Sequence, residues 1–273
     1  MSIDEIIKKS LEEDIGYKDI TTENLSLQNT IATADFIAKS SGIIAGINIA
    51  KKVFFYVDSD VTFTISKEDG DVVKKGDLIA FVTGNAASIL KAERVALNFL
   101  QRMSGIASLT HKFVKETEGF SAKILDTRKT TPLLRELEKY AVKTGGGYNH
   151  RFGLYDMVML KENHIRSAGS IAKAVNLIKE NDVTHKIEVE VTNIEELKEA
   201  VKAKVGRAML DNMSVEDMKT AVKLFGDKIE LEASGNVSLK TVRKIAETGV
   251  HYISSGALTH SYKSLDISLL FRS

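Results

Sequence analysis

The sequence predicts an α/β protein in two parts, the second of them a parallel β/α barrel. Three observations carry this expectation. Short segments with period-two alternation and β-branched residues occupy much of residues 31–82. After residue 121 the pattern changes to short apolar strands alternating with amphipathic helices. Each later strand also ends in a charged residue or a glycine-bearing turn, as strands do when their C-terminal ends converge on one mouth. A doubly wound sheet is the rival, but it would spread such residues along a crevice instead of a ring.

Taken in order, the first nine residues mix charges into their apolar positions and contain no signal-peptide core. Strands are expected at 31–38, 61–65 and 78–82, with Asp69-Gly70 and Lys75-Gly76-Asp77 as the turns between them. Residues 46–57 can supply a helix packed on that sheet. A long helix follows at 88–118, with Leu90, Val95, Leu97, Phe99, Leu100 and Met103 as apolar surface, and Gly105 is expected to bend or break it. The barrel strands are read at 122–125, 157–160, 187–191, 208–210, 229–231 and 252–253. The helices between them are read at 133–143, 170–181, 194–203, 215–225 and 239–248. Asn193, Ser214 and Ser238 stand where helix N-caps belong.

The composition excludes several classes. Of 273 residues, 43% are hydrophobic and 27% charged, a globular balance incompatible with wholesale disorder. No apolar run approaches the roughly 18 residues of a membrane span. The absence of cysteine excludes disulfides, zinc-thiolate and iron–sulfur sites and a thiol nucleophile, and it points to a reducing cytoplasm. Lys and Arg total 38 against 37 Asp and Glu, so no global basic field exists and neither nucleic acid nor membrane is an expected partner. Any anionic ligand must be met by a local cation cluster.

Such a cluster is present. Arg102, Arg128, Lys129, Arg151 and Lys161 fall at or near the mouth, with His150 beside Arg151. One such residue alone is ordinarily a solvated surface charge. Five together would repel by several kcal/mol at an effective dielectric of about 20, so the set reads as a site for a polyanion. In the strand Glu188-Val189-Glu190-Val191 the glutamates share a face that suits the lumen better than the helix layer. Glu190 and Asp211 can hold Mg²⁺ through water or stabilise a cationic transition state, and Glu190 can instead pair with Lys161. The other histidines lack metal-ligand spacing, and neither Gly-x-Gly-x-x-Gly nor a Walker motif occurs.

Several long motifs then carry a resemblance. Asp126-Thr127-Arg128-Lys129-Thr130-Thr131-Pro132, Glu138-Lys139-Tyr140-Ala141-Val142 and Gly145-Gly146-Gly147-Tyr148-Asn149-His150-Arg151-Phe152-Gly153-Leu154 are similar to the quinolinate phosphoribosyltransferases. These are also called nicotinate-nucleotide pyrophosphorylases (carboxylating). The likeness spans the chain, from Glu13-Asp14-Ile15-Gly16 through Gln101-Arg102-Met103-Ser104-Gly105 to Glu232-Ala233-Ser234-Gly235 and Gly256-Ala257-Leu258-Thr259-His260-Ser261.

The resemblance implies an α/β sandwich over 1–105, with the N-terminal helix and the C-terminal tail packing across. It implies an incomplete, seven-stranded β/α barrel over 106–273. It further implies a homodimer or higher oligomer, and a reaction of quinolinate with phosphoribosyl pyrophosphate and Mg²⁺. On the family's pattern, Arg128, His150, Arg151 and Lys161 line the quinolinate site, with Arg102 donated by the partner subunit, and Thr127 is a further substrate-binding residue. Lys129 attends the phosphoribosyl substrate, Glu190 and Asp211 its ribose and metal end. Ser234-Gly235-Asn236 and Ser255-Gly256-Ala257 correspond to its phosphate-binding turns. Leu133 and Asn236 depart from the pattern, since glycine is expected at both; asparagine tolerates the left-handed backbone better than most residues. Two other readings stay open: a molybdenum-transport-associated paralogue of the same fold, and a lipoyl- or biotinyl-type carrier, because Gly70–Ile79 shares the turn grammar of half such a module.

Overall fold

The computed structural model describes residues 1–25, 27–181 and 184–272. Its contacts divide the chain into two compact units. The first comprises Met1–His111, Thr131–Gly146 and Tyr262–Ser273; the second comprises Lys112–Thr130 and Gly147–Ser261. The boundary read from the sequence, after residue 105, falls inside one continuous helix, Ala86–Glu116.

The first unit is built on a four-stranded antiparallel sheet in the order Ile267–Phe271, Ile31–Ala38, Leu78–Asn85, Thr62–Ile65. In Ile31–Ala38 the buried Ala34, Phe36 and Ala38 alternate with more exposed neighbours, so one face of the sheet is covered. Phe36 meets Phe54 of the helix Ile47–Val57 and Phe63 of the strand Thr62–Ile65, at ring separations of 5.8 and 5.5 Å. This aromatic cluster seats the helix on the sheet. The N-terminal helix Ile3–Ile15 starts with a capping box, in which Ser2 and Glu5 each accept the other's backbone N–H.

Gly105 does not break the long helix, contrary to expectation. A close crossing accounts for the residue instead. A Cβ placed there would lie 2.4 Å from the Lys263 carbonyl oxygen and 2.9 Å from the Ser264 Cα.

The second unit holds six parallel strands in the order Lys123–Leu125, Tyr252–Ser254, Glu230–Ser234, Arg207–Asp211, Ile187–Val191, Val158–Leu160. Tyr148 forms a single parallel bridge to Leu125, the seventh position of an incomplete barrel. Along the three central strands one face is Val189, Val191, Ala208, Leu210, Leu231 and Ala233, all without exposed surface. The opposite face carries Glu188, Glu190, Arg207, Asp211, Glu232 and Ser234, so the glutamates of Ile187–Val191 do share the lumen side.

Asn193 and Ser214 cap the helices Ile194–Lys202 and Val215–Phe225 as read, accepting the N–H of Glu196 at 2.9 Å and of Asp217 at 3.1 Å. Ser238 does not cap. A hydrogen-bonded turn over residues 238–241 delays the next helix, which is only Val242–Ala246. The helix read from 133 begins at Arg135, because Leu133 takes the left-handed conformation at φ 68°. No helix among the described residues is long and apolar enough to cross a membrane.

Gly105→Ala should therefore destabilise the protein by about 1–3 kcal/mol through overpacking against backbone that cannot rotate away. A thermal melt checks this, and an unchanged Tm would show that the crossing chain has room to yield.

Candidate active site

The strand ends of the second unit surround a cleft of about 880 Å³. Thr127, Arg128 and Lys129 follow the strand Lys123–Leu125, Lys161 follows Val158–Leu160, and Glu190 and Asp211 stand near the ends of their own strands. His150 and Arg151 enter between them. Ser234, Gly235 and Asn236, with Ser255, Gly256 and Ala257, close the remaining wall. Every candidate residue named from the sequence lines this cleft except Arg102. Arg102 belongs to the first unit, where its guanidinium donates to the buried Glu138 carboxylate and the Thr131 hydroxyl and lies 5.2 Å from the Tyr262 ring centre.

The cleft gathers Arg128, Lys129, Arg151 and Lys161 against the carboxylates Glu190 and Asp211. Lys161 Nζ lies 3.3 Å from Glu190 Oε2, the pairing that the sequence left open for that glutamate. Asp211 accepts a bond from Asn212 Nδ2 at 3.0 Å. Burial pushes Arg151 below the usual arginine range, and the nearby Arg128 charge adds to the effect. Cations outnumber carboxylates four to two, and the protein tolerates a partly desolvated arginine beside another. A bound polyanion would relieve both costs.

The turns that close the wall depend on unusual backbone. Gly235 has φ 89°, and a Cβ there would sit 2.2 Å from Asn212 Oδ1. Asn236 takes the left-handed region at φ 52° and donates its Nδ2 to Asn212 Oδ1 at 3.1 Å, so it occupies the conformation that glycine would adopt freely. Gly256 is equally confined, since a Cβ would meet Lys129 Cδ and His260 Nε2 at 2.9 Å each. Thr259 Oγ1 donates to the Lys129 carbonyl at 2.8 Å and so ties that side of the cleft together.

Beneath the cleft lies a layer that the sequence reading missed. His150 Nε2 is 3.1 Å from Glu188 Oε2 and 3.4 Å from Glu232 Oε2, and both glutamates are fully buried. Arg207 reaches Glu232 at 3.1 Å and stacks on Tyr252 at 3.9 Å. The His150 N–H donates to the buried Asp126 carboxylate at 2.9 Å, and the Arg151 N–H donates to His150 Nδ1 at 2.7 Å. Glu232 had one usable signal, its place in the alternation Glu230-Leu231-Glu232-Ala233. Arg207 had none, because it lies beyond the apolar core by which its strand was recognised.

Burial alone would push His150 down, but Glu188 and Glu232 outweigh it and raise its pKa to about 9. Burial and the Glu232 charge push Glu188 up, whereas Glu232, despite burial, is held below the usual range by its bond to His150. His150 and Glu188 thus share one proton. With the Arg151 N–H on Nδ1, Nε2 is the ring nitrogen that presents a proton to the two glutamates.

Comparison with known proteins gives a consistent result. The family model "Quinolinate phosphoribosyl transferase, N-terminal domain" matches residues 19–104, and the model of its C-terminal domain matches residues 106–270. A probable nicotinate-nucleotide pyrophosphorylase [carboxylating] of Bacillus subtilis is 46% identical over 259 residues, covering 94% of this chain and 89% of the relative. A mitochondrial quinolinate phosphoribosyltransferase [decarboxylating] of Nicotiana tabacum is 46% identical, with 97% and 81% covered. Among solved structures, a nicotinate-nucleotide pyrophosphorylase from Francisella tularensis superposes with a TM-score of 0.96 at 43% identity, covering 99% of this chain and 96% of that one.

The shared proton makes a pH prediction. Its folded-state pKa is raised, so its contribution to stability is complete below the ordinary histidine value of 6.5 and is lost as pH rises through about 9. Tm measured between about pH 6 and 10 should step down near 9. Glu188→Gln has no such proton to lose, and its profile should lack that step. Superimposable profiles would refute the shared-proton assignment.

Proposed function

Because this chain belongs to the quinolinate phosphoribosyltransferase family, we propose that it transfers the phosphoribosyl group of phosphoribosyl pyrophosphate to the ring nitrogen of quinolinate. Pyrophosphate and carbon dioxide leave, and nicotinate mononucleotide is formed, a step of NAD biosynthesis. One observation carries the reading: the cleft gathers the four cations Arg128, Lys129, Arg151 and Lys161 around two carboxylates, and burial together with the Arg128 charge holds Arg151 below the usual arginine range. A pyridine dicarboxylate and a pyrophosphorylated sugar phosphate supply the missing anions. The identities to proteins named for quinolinate favour this activity over a molybdenum-transport role.

In this reading Arg128, Arg151 and Lys161 bind the two carboxylates, and His150 and Thr127 complete that wall. Lys129 and the turns 234–236 and 255–257 hold the phosphates with backbone N–H groups and a point charge. The carbon–oxygen bond to pyrophosphate breaks as the pyridine nitrogen approaches the anomeric carbon. Positive charge grows there, and Glu190 and Asp211 at the lumen rim stabilise it. Glu190 Oε2 is buried with only the Lys161 ammonium beside it, at 3.3 Å and outside hydrogen-bond geometry, and Asp211 keeps lone pairs beyond its bond to Asn212. Two such hard oxygen donors fit Mg²⁺, directly or through water, and the bound ion would offset charge on the departing pyrophosphate.

The reading includes a homodimer, with Arg102 offered to the partner's cleft from its seat against Glu138. It also includes a cytoplasmic location, which the cysteine-free composition supports. The direct test is release of pyrophosphate and carbon dioxide that requires both substrates.

Two outcomes follow. Nicotinate lacks one carboxylate and would leave a desolvated cation unpaired, so kcat/KM should favour quinolinate by at least about 10³. Comparable turnover of the two acids would sink the dicarboxylate cage. Arg102→Ala and Lys161→Ala should each be inactive, yet a mixture whose subunits exchange should regain activity, because one site per mixed dimer is complete. Exchange without recovery would refute donation across the interface.

A further inference from the structure

The lumen of a parallel barrel is ordinarily filled by branched aliphatic side chains. Here Glu188, Arg207 and Glu232 stand on the lumen faces of three adjacent strands, and both glutamates have no exposed surface. Removing such charges from water costs several kcal/mol per ion, and apolar residues of similar volume commonly replace them without loss of stability. Stability therefore does not account for the arrangement.

Its geometry has a direction. Both carboxylates converge on one atom, His150 Nε2, at 3.1 and 3.4 Å. From the ring the contact continues upward, because Nδ1 receives the Arg151 N–H at 2.7 Å, while the His150 N–H is fixed on Asp126 at 2.9 Å. The backbone at 150–151 is thus held by a buried carboxylate on one side and a ring anchored by two more on the other. Arg151 next carries its guanidinium into the cleft, where Nη1 donates to the Met157 carbonyl at 2.9 Å.

We propose that Glu188 and Glu232 are positioning residues for the acid-binding wall: they hold the His150 ring from the lumen and, through its Nδ1, fix where the Arg151 guanidinium stands. The assignment rests on reading the cleft as the quinolinate site. A restraint of this kind has a purpose, since burial and Arg128 both disfavour the Arg151 charge. An untethered Arg151 would gain by swinging toward solvent, away from Arg128, and the dicarboxylate would meet a gap. Arg207 holds Glu232 in place from below.

The test uses purified full-length protein, with steady-state kinetics in each substrate and thermal melts. Glu188→Ala and Glu232→Ala should each raise KM for quinolinate by roughly tenfold while KM for phosphoribosyl pyrophosphate stays within about twofold, as expected when one binding group is displaced and the other subsite is untouched. Glu188→Gln should recover most of the loss, because its amide oxygen still accepts from Nε2–H. If Glu188→Ala fails to fold, Glu188→Met, which fills the volume but offers Nε2–H no oxygen, carries the same expectation. A lowered Tm with both KM values unchanged, or raised equally, would overturn the positioning role. A wild-type protein that neither binds quinolinate by calorimetry nor turns it over would instead overturn the reading of the cleft, a result distinct from unaffected variants.

Discussion

Period-two alternation in a parallel strand is the constraint on which the second unit depends. A strand lying between a helix layer and a lumen has two destinations for its side chains, and charge is tolerable in one of them. Val189, Ala208, Leu210, Leu231 and Ala233 take the helix side without exposed surface. Glu188, Arg207 and Glu232 are thereby committed to the lumen, where both glutamates are fully buried. The lumen then has to neutralise itself. It does so with a guanidinium, an imidazole and a shared proton.

The two levels of the barrel consequently obey opposite electrostatic rules. In the lower level Glu232 faces Arg207 and His150, and Glu188 faces His150. At the rim Arg128, Lys129, Arg151 and Lys161 face two carboxylates, and one of these is already taken up by Lys161. The imbalance is confined to the place where a ligand can correct it. His150 joins the levels: its ring belongs to the lower one, and its backbone leads directly to Arg151.

Much of this was legible in the sequence where the signal is local. The strand 187–191 and the helix 215–225 were read with their observed bounds, because alternation and an N-cap serine are nearest-neighbour patterns. The cleft residues were legible as polar punctuation at strand ends, and the asparagine at 236 was correctly suspected of a left-handed backbone. What escaped is long-range. Gly105 reads as a helix breaker until one sees the chain at 263–264 crossing it. Ser238 reads as a cap until a turn intervenes. The partners of His150 lie 38 and 82 positions away in the chain, at Glu188 and Glu232, and no local pattern announces a pairing over such spans. Arg102 was read as one of the cations at or near the mouth, but its seat against Glu138 needed coordinates.

The barrel's incompleteness has a consequence for solubility. Among the described residues Tyr148 contributes one bridge and Val158–Leu160 pairs on one side, so the strand order has two edges without a further strand, and such edges are templates on which other chains can add strands. Here the regular edge strand is three residues long. That is too short a run of backbone donors and acceptors to recruit a foreign strand with useful affinity. The gap in the barrel is therefore guarded by brevity, and the fold can remain unclosed without becoming a nucleus for aggregation.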